Sequence, residues 1–61
     1  MNTTEENGIL QKEKGALKQR FARLTEDDQV LSEGLKQEEY GNQQIRYGKT
    51  EEDLSKIIKE L

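Results

Sequence analysis

The chain has 61 residues, of which 38% are charged and 30% hydrophobic, with a formal net charge of −3; that allows one small domain with a thin core. It contains no cysteine and no histidine, which excludes a disulfide framework, a thiolate zinc site and the usual general base near neutral pH. The longest apolar run is two residues, as at Ile9-Leu10, and the amino terminus is acidic and polar, so neither a membrane span nor a secretory leader is expected and a cytoplasmic location is the default.

Taken in chain order, Thr3–Glu6 has the spacing of a helix-start box, in which each side chain satisfies the other residue's orphan backbone N–H. Residues 1–4 are expected to be disordered. Leu10, Leu17, Phe21 and Leu24 then recur at helical spacing, within a stripe about 60° wide, and predict a first helix with that stripe as its core face. A second start at Thr25–Asp28 predicts a short helix over about 26–33 that carries Val30 and Leu31. Leu35, Tyr40, Ile45 and Tyr47 scatter around a wheel and define the third segment least clearly. Thr50–Asp53 reads as the last start, before Leu54, Ile57, Ile58 and Leu61, which fall within about 100° of one another. Nothing alternates with period two, so the chain reads all-α. Asp27, Asp28, Glu51 and Glu52 are accounted for as first-turn acids facing helix dipoles.

A 26-residue internal repeat runs through the chain. It aligns Gly8 with Gly34, Gln11 with Gln37, Glu13 with Glu39, Gly15 with Gly41, and Arg20 with Arg46. Glu26 aligns with Glu52, and Asp27 with Asp53. Its physical reading is two helical hairpins that bury their apolar faces only by packing together, which makes a small four-helix bundle of two crossed hairpins. Small residues at 8, 15 and 22, and again at 34, 41 and 48, are seven apart and lie along one side of a helix. An interior glycine costs a helix about 0.8–1.0 kcal/mol against alanine. Two roles could justify that cost. Left-handed helix caps are preferred for Gly34 and Gly48, and close helix–helix approach is weighed for Gly15 and Gly41.

Lys14-Gly15, Leu24-Thr25-Glu26-Asp27-Asp28, Gly34, Gly41 and Gln44-Ile45-Arg46-Tyr47-Gly48 occur in that order. Over residues 9–61 this series resembles the CsbD-like family of small bacterial stress proteins, with Phe21 and the amphipathic tail in place. The chain departs from the family pattern at Ala22, where glycine is usual, and at Leu10, where tryptophan is common. It also departs at Glu13, Gln29 and Gln43, where apolar residues are common. The resemblance implies a single CsbD-like domain over 1–61, a sterile-alpha-motif-like bundle and expression under general stress. It supplies no catalytic or binding residues.

The resulting expectation is a non-enzymatic stress-response protein that acts by interaction or protection. The alternative is a weak nucleic-acid-binding module on the first helix, where Lys12, Lys14, Lys18, Arg20 and Arg23 against Glu13 leave residues 11–23 at +4. Those cations make no stripe, and six acids against Lys36 leave residues 24–39 at −5, so intramolecular charge complementarity is preferred and nucleic acid is disfavoured as a partner. The Glu26-Asp27-Asp28 cluster lacks the ligand spacing and central glycine of a calcium loop, and so small a chain offers little concave volume for an active site. No cofactor or metal is expected. The candidate interaction surface is Arg46 and Tyr47, with Lys14 and Lys18. The competing reading has Tyr47 anchor the core beside Phe21, with Arg46 lying over it. A protein partner is left open, and the chain is read as a monomer or weak homodimer.

Overall fold

A computed structural model describes residues 2–60, which form two α-helices, α1 over Thr3–Thr25 and α2 over Asp28–Glu60. Asn2, not Thr3, starts α1: its backbone is extended and its side-chain oxygen accepts from the Glu5 N–H at 2.7 Å. Glu5 and Glu6 then place negative charge at the positive end of the helix dipole. Met1 and Leu61 lie outside the described residues, so the expectations for the first residue and for the last apolar position of the tail fall outside them too. Asn2 is the cap itself, and Thr3 and Thr4 belong to the first turn.

The turn is as short as two antiparallel helices allow. Glu26 takes the left-handed conformation, φ 55° and ψ 40°, and its N–H and that of Asp27 both reach the Ala22 carbonyl. The second of these bonds, 2.9 Å long, is the 6→1 bond of a Schellman ending. The Asp27 carboxylate accepts from the Val30 N–H at 3.1 Å, so Asp27 rather than Thr25 caps α2. Thr25 and Thr50 point their hydroxyls back to the carbonyls of Phe21 and Arg46, each at 3.0 Å. Such back-bonding suits a threonine inside or at the end of a helix, and Thr50 starts nothing.

The expected four-helix bundle of two crossed hairpins is therefore overturned. The short helix over 26–33, the third segment and the tail are one continuous 33-residue helix, and the chain is a single antiparallel hairpin. It is a rod of 54 × 14 × 10 Å with a radius of gyration of 15.1 Å. A compact 61-residue chain would have a radius of gyration of about 10.5 Å.

The two helices meet along their small residues. Gly8 faces Gly41 and Gly15 faces Gly34: a Cβ on Gly41 would lie 2.5 Å from the Gly8 carbonyl oxygen, and one on Gly15 would lie 2.6 Å from that of Gly34. A Cβ on Gly48 would sit 2.8 Å from the Glu5 nitrogen. No glycine among the described residues has a positive φ, so Gly34 and Gly48 are contact positions inside α2 and not caps. Without Cβ atoms the backbones come together directly.

This seam replaces the side-chain core that periodicity predicts. Among the described residues Ala22, 2% exposed, is the one buried hydrophobic residue, and no large side chain is fully buried. The stripe expected to form the core face of α1 points outward, with Phe21 61% and Leu24 85% exposed. At about 100° per residue that stripe lies roughly 120–180° around α1 from Gly8, Gly15 and Ala22. The two cannot both face α2, and the glycines do.

Candidate functional site

The seam sets a simple alignment: residue i of α1 stands level with about residue 51 − i of α2, since Gly41 sits between Gly8 and Lys12, and Gly15 between Gly34 and Glu38. Arg46 and Tyr47 are thus level with the first turn of α1, beside Gly48, whose carbonyl accepts from the Asn2 amide at 2.7 Å. Lys14 and Lys18 lie in the middle of α1, about 13 Å or more farther along the axis. All four are exposed. The structure places them on the surface, as the interaction reading needs, but does not bring the two pairs together.

Tyr47 does not anchor a core beside Phe21. It is 65% exposed, and the alignment puts Phe21 level with Val30, some 17 positions or about 25 Å away. The physical reason is the antiparallel turn. The repeat aligns Phe21 with Tyr47 in sequence, but in a hairpin, equivalent positions of the two halves run in opposite directions.

Polar rungs flank the seam on both sides. On one side the Gln37 amide donates to the Gln11 carbonyl oxygen at 2.7 Å and that of Asn7 donates to Gln44 at 2.6 Å. The Gln44 amide donates in turn to the Tyr40 hydroxyl at 3.0 Å. On the other side the buried Gln19 donates to the Glu38 carboxylate at 3.0 Å. Sequence reasoning missed these rungs, although the repeat aligned Gln11 with Gln37. The readable signal is an amide three residues after one glycine and four before the next, at Gln11, Gln37 and Gln44. Among long polar side chains, an uncharged amide beside a dry seam can be both donor and acceptor.

Two open hollows mark the surface. One, of about 330 Å³, lies where α2 runs past the start of α1 and is lined by Asn2, Glu51, Glu52, Ser55, Lys56 and Lys59. The other, of about 270 Å³, sits on α1 alone between Glu13, Ala16, Leu17 and Arg20. Among the described residues no group of three acidic, histidine or cysteine side chains is placed to hold a metal ion, and no helix is long and apolar enough to cross a membrane. The five cations of residues 11–23 are all exposed and wind around α1 without forming a row.

What the geometry offers is contact area. Ten large hydrophobic side chains lie between 48% and 85% exposed, six of them, Leu35, Tyr40, Tyr47, Leu54, Ile57 and Ile58, on α2. Comparison with known proteins found no family model, no curated protein and no solved structure that matches this chain.

Proposed function

We propose that this chain is a non-enzymatic bacterial stress protein of the CsbD-like kind that works in the cytoplasm through its exposed surface. The ordered residues from Lys14-Gly15 to Tyr47-Gly48 support the family and the stress role. One observation carries the interaction part: the glycine seam consumes almost no apolar side chain, so the large hydrophobic groups remain available outside the fold. Exposed apolar area on this scale is a mark of surfaces that meet other molecules.

Deleting the gene and following survival under osmotic, oxidative and starvation stress tests the role. The expected result is impaired survival under at least one stress with unstressed growth intact. Equal survival of both strains under all three would overturn it.

A further inference from the structure

We infer that the partner on the apolar face is a second copy of this chain, related by a two-fold axis parallel to the helices, so that each α1 lies over the partner's α2. The inference deepens the interaction reading above by naming its occupant. Three observations lead to it.

The first is that apolar side chains of both helices share one side of the hairpin. Counted from the glycine seam at about 100° per residue, Leu10 and Phe21 stand roughly 120–140° around α1, and Tyr40 and Tyr47 roughly 100–120° around α2, with Leu35 on the opposite side. Seen from one end, numbering turns clockwise in one helix and anticlockwise in its antiparallel neighbour, which brings both sets to the same side of the plane through the two axes. The Gln37–Gln11 and Asn7–Gln44 rungs mark that same side.

The second observation is area. A folded monomer of 7.1 kDa typically exposes about 4,100 Å². This chain exposes 4879 Å². If each of two copies covered the excess of about 800 Å², the contact would total about 1,600 Å², the size of a standard specific interface.

The third is charge in register. A two-fold axis parallel to the helices preserves height, so the alignment of i with 51 − i holds between chains as it does within one. Leu10 then stands level with the partner's Gly41 and next to the partner's Tyr40. Glu33 falls level with the partner's Lys18, one helical turn from the partner's Lys14. Glu33, Lys14 and Lys18 are all exposed on the hairpin and all project to the apolar side by the same angular count. Like charges never meet at these positions in this arrangement, whereas stacking α1 on α1 would oppose the lysines to one another.

Sedimentation equilibrium and thermal unfolding of the full chain, from about micromolar to about millimolar protein, test the proposal. The expected mass rises from 7.1 kDa toward twice that value, and the unfolding midpoint rises with concentration. Two variants at exposed positions then test the arrangement. Lys14→Glu/Lys18→Glu and Glu33→Lys each place like charges at both symmetric sites, and each alone raises the dissociation constant about tenfold or more. Mixed in equal amounts they restore dimerisation, because each site of the mixed dimer regains an opposite pair while every single chain keeps its internal repulsion. Helical circular dichroism of each variant verifies that the hairpin persists. A monomer mass throughout with a concentration-independent midpoint would overturn the inference, and so would a mixture no stronger than its separate components. A monomer whose deletion still impairs stress survival would overturn the dimer and leave the stress role standing.

Discussion

Gly41→Ala sets two well-measured effects against each other. In an isolated helix the change is favourable by about 1 kcal/mol, because alanine is the better helix former. In this hairpin the new Cβ would lie 2.5 Å from both the Gly8 carbonyl oxygen and the Lys12 nitrogen, and 2.9 Å from the Lys12 Cα. Ordinary contact begins at 3.4 Å, so α1 and α2 must part by about 0.9 Å at that point. All three atoms are backbone and none can rotate away. Overpacking of this kind costs about 1–3 kcal/mol, and a rigid backbone neighbour places this case in the upper half of that range. The net loss of about 1–2 kcal/mol corresponds to a fall in Tm of about 5–15 °C for a chain this small. Thermal unfolding followed by circular dichroism at one fixed protein concentration measures it. Ser32→Ala, at an exposed interior position of the same helix, serves as the reference and should raise Tm slightly by propensity alone. A Gly41→Ala variant that gains stability as Ser32→Ala does would refute close backbone contact as the reason for the glycines.

Three further predictions concern the turn and the surface. Glu26→Gly relieves the left-handed residue of its Cβ and should stabilise the hairpin by about 0.5–1 kcal/mol, seen as a higher urea midpoint with an unchanged slope. Asp27→Ala removes the cap on the Val30 N–H and should cost about 0.5–2 kcal/mol in the same titration, whereas Asp27→Asn should retain most of the stability. Tyr47→Ala in dilute protein should shift stability by no more than about 0.5 kcal/mol, since the ring is 65% exposed; a loss several times larger would return Tyr47 to a structural role.

Helical content was legible in the sequence because nothing alternates and several helix-start patterns occur, yet the number of helices was not. The Thr-x-x-acid pattern is ambiguous. At Thr3 the true cap is one residue earlier, at Thr25 the cap is two residues later, and at Thr50 the same letters sit inside a helix with the hydroxyl bonded to Arg46. The one real interruption, Glu26-Asp27, carries no glycine or proline to mark it, because a glutamate adopts the left-handed conformation there. Periodicity also pointed to the wrong face. It weighs side chains, and the contact that organises this fold is made by residues that have none. The seven-residue spacing of the glycines held the answer for Gly15 and Gly41, where close approach was considered. For Gly34 and Gly48 the supposed helix ends hid it. The candidate surface was legible in part: Arg46, Tyr47, Lys14 and Lys18 are all accessible, but their separation follows from the antiparallel turn, which the repeat had disguised as a duplication of hairpins.

The equal spacing of the small residues also bears on how the hairpin finds its alignment. Sliding α2 by seven residues, about 10 Å along the axis, would set Gly8 against Gly48, Gly15 against Gly41 and Ala22 against Gly34. That is one small-residue pair more than the two glycine pairs of the observed fold, so the seam behaves as a ruler whose marks coincide at more than one offset. The slide would carry the turn about three to four residues along the chain, to about residues 29–31, without changing its length. The observed turn is pinned at Glu26 and Asp27 by the left-handed Glu26, the bonds to the Ala22 carbonyl and the Asp27 cap on Val30. The turn therefore acts as the stop that selects one notch, and moving those turn signals about four residues later would select the second.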